Sequence, residues 1–371
     1  MKITVIIVNY NVKYFLEQCL CSLRAAIAQT SVAVETIVMD NISTDDSIHY
    51  LQPKFPEVQF YNNSENEGFS KANNKALLKA TGDLILFLNP DTIVSEGSLQ
   101  TCVDFFKTQP GAGAVGLKMI DGSGNYLHES KRGFPTPWVS FCKMTGLARI
   151  FPHSALFSGY YLGNLNENSL QEIEALAGAF MMVPAKLLQQ TGGFDERFFM
   201  YAEDIDLSYR IQKAGYANYY LPEPALIHFK GESTHKDSIY IERFYGAMVQ
   251  FVDKHYASAS YFLTKPLLKL GIRIRAFVAK MFISEKAENR SKTPQNVEKM
   301  IELAQNSSKI GHFRENGQNL LITGPGFSFS DLIRTMQKNP GEDYFIHATG
   351  SGAIVSSNRS HARGQQIPLQ N

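Results

Sequence analysis

Short apolar runs alternating with helical stripes over the first hundred residues restrict this chain to few folds. The runs Ile3 to Val8, Thr36 to Met39, Val58 to Tyr61 and Leu84 to Leu88 are rich in β-branched, aliphatic or aromatic residues and bounded by polar or turn residues, so each reads as a strand. Between and after them, Leu16, Leu20 and Leu23 recur at helical spacing, as do Leu99, Val103 and Phe106. Strands and helices in alternation predict an α/β fold, a mostly parallel central sheet flanked by helices.

In open sheets of this kind ligands bind beyond the carboxyl ends of the strands. Polar residues stand there in this chain: Asn9-Tyr10-Asn11 after the first run, Asp40-Asn41-Ile42-Ser43-Thr44-Asp45 after the second, and Asn89-Pro90-Asp91 after the fourth. The stretch from Pro110 to Glu174 has weak periodicity, many Gly and Pro residues and scattered aromatics, which predicts long loops.

Composition excludes several classes of function. With 36 basic and 35 acidic residues the formal net charge is +1, far from the basic excess of a nucleic-acid binder. Cys19, Cys21, Cys102 and Cys142 show neither metal-ligand spacing nor a disulfide framework, so a reducing, cytoplasmic setting is expected. The apolar stretch at Met1 to Val8 is too brief for a signal peptide, and there is no uninterrupted apolar run of about 20 residues to span a bilayer.

The 371 residues allow more than one unit. A first domain is expected over 1–257. A basic amphipathic helix and charged linker follow over 258–295, then a small α/β appendage over 296–371. In the helix Leu267, Leu270, Ile274, Phe277, Val278 and Met281 form a stripe, with Lys269, Arg273 and Lys280 largely on another face. Such a helix can lie in a membrane interface or dock on the first domain; periodicity does not separate the two. In the appendage, Leu320 to Gly326 reads as strand and turn, and Leu332 to Gln337 as helix.

Three constellations carry chemistry. Asp91, in the turn after an apolar strand, can bind a hard divalent cation that bridges diphosphate oxygens, although Asn-Pro-Asp is also ordinary turn chemistry. Glu203, Asp204 and Asp206 place three acids at the start of a helix marked by Leu207 and Ile211 and closed by Gly215. They can cap the helix dipole, and one can act as general base toward an acceptor hydroxyl. His228 follows Pro224-Ala225-Leu226-Ile227 and is a metal ligand or a structural histidine.

Taken in order, Val8 to Asn11, Val38 to Ser47, Asn66 to Asn74, Leu86 to Asp91, Gly178-Ala179-Phe180, and Gly192 to Glu196 leading to Glu203-Asp204-Ile205-Asp206 resemble the family-2 glycosyltransferases of GT-A fold. Within them the likeness is to the bacterial rhamnosyltransferase-like group that builds cell-surface polysaccharides, and it runs from about Ile3 to Tyr256. The resemblance implies a donor-nucleotide site at Asn9, Tyr10, Asn11, Asp40, Asn66, Gly68, Phe69, Asn73 and Asn89. It implies a divalent metal, Mn²⁺ or Mg²⁺, at Asp91 and His228, with Asn89 standing where the family's Asp-x-Asp motif has its first acid. Asp204 matches the catalytic base, with Glu203 beside it.

The implied reaction is single displacement with inversion. A sugar moves from a nucleoside-diphosphate donor, such as dTDP-rhamnose, to a saccharide or lipid-linked acceptor at the inner membrane face. There is no Gln-x-x-Arg-Trp motif of the processive synthases, so one-sugar addition is expected. Two rival readings exist. A nucleotidyltransferase would need a Gly-rich basic loop where Asn9 to Lys13 stands; a non-catalytic nucleotide-sugar binder would not need Asp91, Asp204 and His228.

Overall fold

The computed structural model describes residues 1–232, 238–256, 264–286, 297–306, 309–315, 317–357 and 364–369. The expected boundaries at 257/258 and 295/296, and the linker between, lie outside these residues. The chain begins β1 (Lys2–Asn9), α1 (Lys13–Ala28), β2 (Ala33–Asp40), α2 (Ser47–Leu51), β3 (Val58–Asn62), α3 (Gly68–Leu77) and β4 (Leu84–Leu88). Then come β5 (Thr92–Ile93), α4 (Ser98–Thr108), β6 (Ala112–Ile120), α5 (Pro137–Thr145), α6 (Leu147–Ile150), β7 (Gln171–Ile173) and β8 (Phe180–Pro184). The first sheet's part of the chain closes with α7 (Ala185–Thr191), α8 (Glu203–Lys213), β9 (Ala217–His228) and α9 (Ser238–His255).

These strands form one nine-stranded sheet in the order β3-β2-β1-β4-β8-β6-β9-β5, with β7 also on β9. β1 pairs in parallel with β2 and β4, and β2 with β3. β8 runs against both β4 and β6, while β6 and β9 are parallel, so six strands share one direction and β5, β7 and β8 oppose them. Alternate residues of β1 feed opposite faces. Ile3, Val5 and Ile7 join the α1 and α4 side with Leu16, Leu20 and Leu99, while Ile6 and Val8 join the α3, α7 and α8 side.

The stretch expected to be loops from Pro110 holds β6, nine buried residues in the middle of the sheet. Its sequence, Ala-Gly-Ala-Val-Gly-Leu-Lys-Met-Ile, is poor in β-branched residues. A Cβ on Gly116 would stand 2.6 Å from Leu176 Cδ2, so packing demands the small residue that disguises the strand.

Beyond α9 lies α10 (Thr264–Lys286), packed antiparallel-fashion into the α5 and α9 neighbourhood through Leu268 and Ile272. Next come α11 (Val297–Gln305), β10 (Gly311–Glu315), β11 (Gln318–Thr323), α12 (Phe329–Lys338), β12 (Asp343–Ala348), β13 (Ala353–Ser356) and β14 (Gln365–Pro368). The five strands make a second sheet, β10-β11-β12-β13-β14. This unit does not stand apart. Leu332, Ile333, Met336 and Ile346 share one buried cluster with Val12, Phe15, Ile93, Ile227 and Phe229 of the first sheet's layer. Polar ties reinforce the join: Glu96 accepts from the backbone N–H groups of Phe329 and Ser330 at the start of α12, and the Gln18 amide donates to Ser351 Oγ at 2.8 Å.

Candidate active site

The parallel register aligns the strand ends that the sequence marks as polar. Asn9 stands opposite Asp40, and Asp40 opposite Asn62, so β1, β2 and β3 end in one row. Asn9 donates through Nδ2 to Asp40 Oδ1 at 2.7 Å, and Ser43 locks the same carboxylate through its backbone N–H at 2.7 Å and its hydroxyl at 2.6 Å. Asn9 Oδ1 remains buried without a partner. Asn11, at φ 55°, accepts from Thr44 N–H, and half-buried Tyr10 lies between the two asparagines. The loop after Asp40 carries Ile42 at φ 57°, a costly conformation for a β-branched residue.

The Asn66 to Asn73 segment turns the chain into α3. Asn66 Oδ1 accepts from Gly68 N–H, and the buried Asn73 amide donates to Phe69 O inside the helix. The close approach at Gly68, φ +78°, is to protein: a Cβ there would sit 2.3 Å from Phe199 O, which also accepts from Phe69 N–H. The Phe69 ring meets Phe194 edge-on and touches the space beside Gly178.

At the next strand end, β5 pairs with β9 so that Thr92 faces His228. This pairing brings buried Asp91 to His228, with Oδ1 to Nε2 at 3.4 Å, and sets Asn89 Nδ2 3.3 Å from the same nitrogen. Phe229 N–H donates to Asp91 O and fixes the turn from the far side. Two cis ligands of an octahedral cation stand about 3 Å apart, so Asp91 and His228 fit a shared divalent ion. Among the described residues no third His, Cys, Asp or Glu joins them, so any cation here would be held by these two side chains alone.

The three acids of α8 separate by environment. Asp206 is fully buried and structural, taking Arg210, Lys254 and His255. Asp204 Oδ2 accepts from Arg132 at 2.6 Å and from Gly178 N–H at 2.9 Å, while Oδ1 accepts from Ile205 N–H. Glu203 is buried with Oε2 unpartnered; burial, reinforced by the Asp204 charge, pushes its carboxyl up to about 8. Two consecutive left-handed residues, Tyr201 at φ 73° and Ala202 at φ 63°, deliver the chain into this helix.

Glu203 and Asp204 line a cavity of about 120 Å³ whose polar end also holds Arg132 and Tyr160, and whose apolar wall comes from Phe244, Met248 and Phe251 of α9 and Ile272 of α10. Arg132 and Tyr160 escaped the sequence reading, since both lie in the Gly- and Pro-rich stretch with no periodic signal. Burial weighs against the Arg132 cation, yet Asp204 and Tyr160 beside it more than compensate and hold it above its ordinary value. The Tyr160 phenol, packed under Lys143 at 3.2 Å from ring centroid to Nζ, is disfavoured by burial as an anion but brought below its ordinary value by Lys143 and Arg132.

One dipeptide joins the two chemical centres. Gly178 N–H donates to Asp204, and Ala179 C=O accepts from Asn89 N–H at 3.0 Å, so the acid helix and the Asn-Pro-Asp turn meet across Gly178-Ala179.

With this geometry in hand, residues 4–165 match the family model described as glycosyl transferase family 2. An N-acetylglucosaminyl-diphospho-decaprenol L-rhamnosyltransferase of Mycobacterium tuberculosis is 30% identical over 244 residues, 63% of this chain and 78% of that protein. The chain belongs to the family-2 glycosyltransferases. The transferase is also similar to the rhamnosyltransferase WbbL of Escherichia coli, 32% identical over 174 residues, 44% of this chain and 61% of that one. Among solved structures, a mannosyltransferase of Pyrobaculum calidifontis in complex with GDP-Man and Mn²⁺ superposes at a TM-score of 0.47 and 18% identity, over 75% of this chain and 74% of that one. This chain is thus a glycosyltransferase enzyme on an α/β fold with a mostly parallel central sheet, and the nucleotidyltransferase and non-catalytic readings fall away.

Proposed function

We propose that this enzyme transfers one sugar by inverting, metal-dependent displacement from a nucleoside-diphosphate sugar to a lipid-linked saccharide in cell-surface polysaccharide synthesis. The observation that carries this reading is the Gly178-Ala179 bridge, which ties an oriented carboxylate to the strand end where a cation would be held. Asp40 and the Asn9 to Asn11 turn hold the nucleotide, with Asn66, Gly68, Phe69, Asn73 and Asn89 around the donor pocket. Asp91 and His228 hold Mn²⁺ or Mg²⁺, which would stabilise the charge that develops on the departing diphosphate.

Asp204 takes the proton of the attacking acceptor hydroxyl, the acceptor oxygen bonds the anomeric carbon, and the bond to the diphosphate oxygen breaks with inversion. Gly178 N–H and Arg132 fix the carboxylate's orientation, so the base does not have to be ordered at the moment of reaction. The names of the relatives support a rhamnosyl donor, and one of them a lipid-diphosphate-linked acceptor; in this reading the donor is a nucleotide sugar such as dTDP-rhamnose and the acceptor is presented at the inner membrane face.

The test is release of free nucleoside diphosphate from a panel of nucleotide sugars with Mn²⁺, Mg²⁺ or chelator, with Asp204→Asn as control. Metal-dependent release from one donor, reduced about 10²–10⁴-fold in the variant, is expected. Release that is indifferent to chelator would remove the metal from the scheme, and undiminished release by Asp204→Asn would remove the assigned base.

A further inference from the structure

Sixteen large hydrophobic side chains are exposed among the described residues, and ten of them fall in two stretches, 138–156 and 267–281. The stretches are more than a hundred residues apart in sequence but adjacent in space. α5 packs on α10, with Met144 Cε 3.1 Å from the point where a Cβ on Gly271 would lie. Ser140 of α5 and Ile272 of α10 face the same cavity beside Asp204, so the opposite sides of both helices look outward together.

At 100° per residue the sides of α10 are distinct. Leu268 and Ile272 are buried; Leu267, Leu270, Ile274, Phe277 and Met281 lie opposite them, each more than half exposed. Between these two sides Lys269, Arg273 and Lys280 succeed one another along one flank. Alongside, α5, α6 and the turn after them present Trp138, Phe141, Ile150, Phe151 and Leu156, with the Trp138 ring stacked on Phe141 and its indole N–H donating to Leu156 O.

Charge distinguishes this face from one built to meet another protein core. Residues 264–281 contain Lys265, Lys269, Arg273, Arg275 and Lys280 and no acid; residues 137–157 contain Lys143 and Arg149 and no acid. Asp253 of α9 takes Lys265 and Lys269, and Glu242 takes Lys280, while Arg149, Arg273 and Arg275 are exposed. An apolar strip with a basic rail matches an anionic bilayer surface, where acyl chains accept the strip and headgroups the rail. No helix among the described residues is long and apolar enough to cross a membrane, so contact through this face is interfacial.

We propose that α5, α6 and α10 form one composite docking face for an anionic lipid bilayer, directly behind which lies the Asp204 cavity. Docking there brings a lipid-linked acceptor to the base without extracting its chain from the membrane. The inference deepens the acceptor half of the proposed function, rests on that reading only for the acceptor's identity, and can fail separately from donor chemistry.

Trp138 is the chain's only tryptophan, so intrinsic emission reports this face alone. The full-length protein is titrated with vesicles of phosphatidylcholine, with and without phosphatidylglycerol, and with brominated phosphatidylcholine as a quencher. The expected result is a blue shift and bromine quenching with the anionic vesicles, and vesicle affinity lowered about tenfold or more by Ile274→Glu with Phe277→Glu. Those positions are exposed; should that pair melt early by circular dichroism, Arg149→Glu with Arg273→Glu replaces it and is expected to weaken binding in the same way. Unchanged emission with anionic vesicles, equal response to neutral ones, or quenching that survives the α10 substitutions would overturn the composite face. A blue shift that follows protein concentration without vesicles would do so too, because a second copy would then be its occupant.

Discussion

Glu203 and Asp204 are neighbours in sequence with opposed electrostatics. Asp204 is held by Arg132, Gly178 N–H and Ile205 N–H; Glu203 has a buried, unpartnered oxygen and an ordinary value of 4.5 pushed up to about 8 by burial and by Asp204. The folded state therefore keeps the Glu203 proton through a window in which the unfolded chain has released it. It binds more protons than the unfolded state between about pH 4.5 and 8, and stability falls as pH rises through that window. Glu203→Gln should remove this slope: its Tm is expected to match the parent near pH 4.5 and exceed it by several degrees at pH 9. Parallel Tm curves for the two proteins would contradict a neutral, buried Glu203. The acids were legible as a group because three of them crowd one helix start, but their division of labour was not. Asp206 is set by Arg210, Lys254 and His255, and Asp204 by Arg132, all placed by tertiary packing that no local pattern encodes.

At the scale of elements, the strands that carry the polar ends were legible because β1 to β4 are apolar runs with sharp polar boundaries. β6 was hidden by its glycines and alanines, and the five residues 228–232 that leave β9 gave no sign of their anchoring. Glu232, 1% exposed, accepts from Ser357 Oγ at 2.5 Å and Gly364 N–H at 2.8 Å, while Phe229 packs edge-on to Phe15. The turn that follows His228 is thus pinned by the second sheet. Replacing Glu232 with alanine takes this acceptor from the buried Ser357 hydroxyl and the half-buried Gly364 N–H, a cost of about 1–3 kcal/mol. We expect Glu232→Ala to weaken the thermal shift given by Mn²⁺ with nucleoside diphosphate more than Glu232→Gln does. An equal shift in parent and both variants would separate the second sheet from the proposed cation site at the end of β9.

For the molecule as a whole, the second sheet, expected from the sequence as a small appendage, shares the packing of the first sheet's core. Val12, Phe15, Ile93, Ile227 and Phe229 are buried in the same cluster as α12, β11, β12 and β13, and each large apolar side chain uncovered costs about 1.5–3 kcal/mol. A fragment ending at Tyr256 is therefore expected to bind a hydrophobic dye and lose its sharp melt. A cooperative transition within a few degrees of the full chain would refute the shared core. The same join has a consequence for how the protein is made. Gln18 meets Ser351 across 333 positions of sequence, so the surface around Val12 and Phe15 is synthesised early and covered late. At roughly 5–20 residues per second that interval is about 20–60 s, during which the nascent chain carries an uncovered apolar patch. A chaperone with access to the emerging chain has that long to hold it, and a ribosome that stops early leaves a product that advertises its own incompleteness.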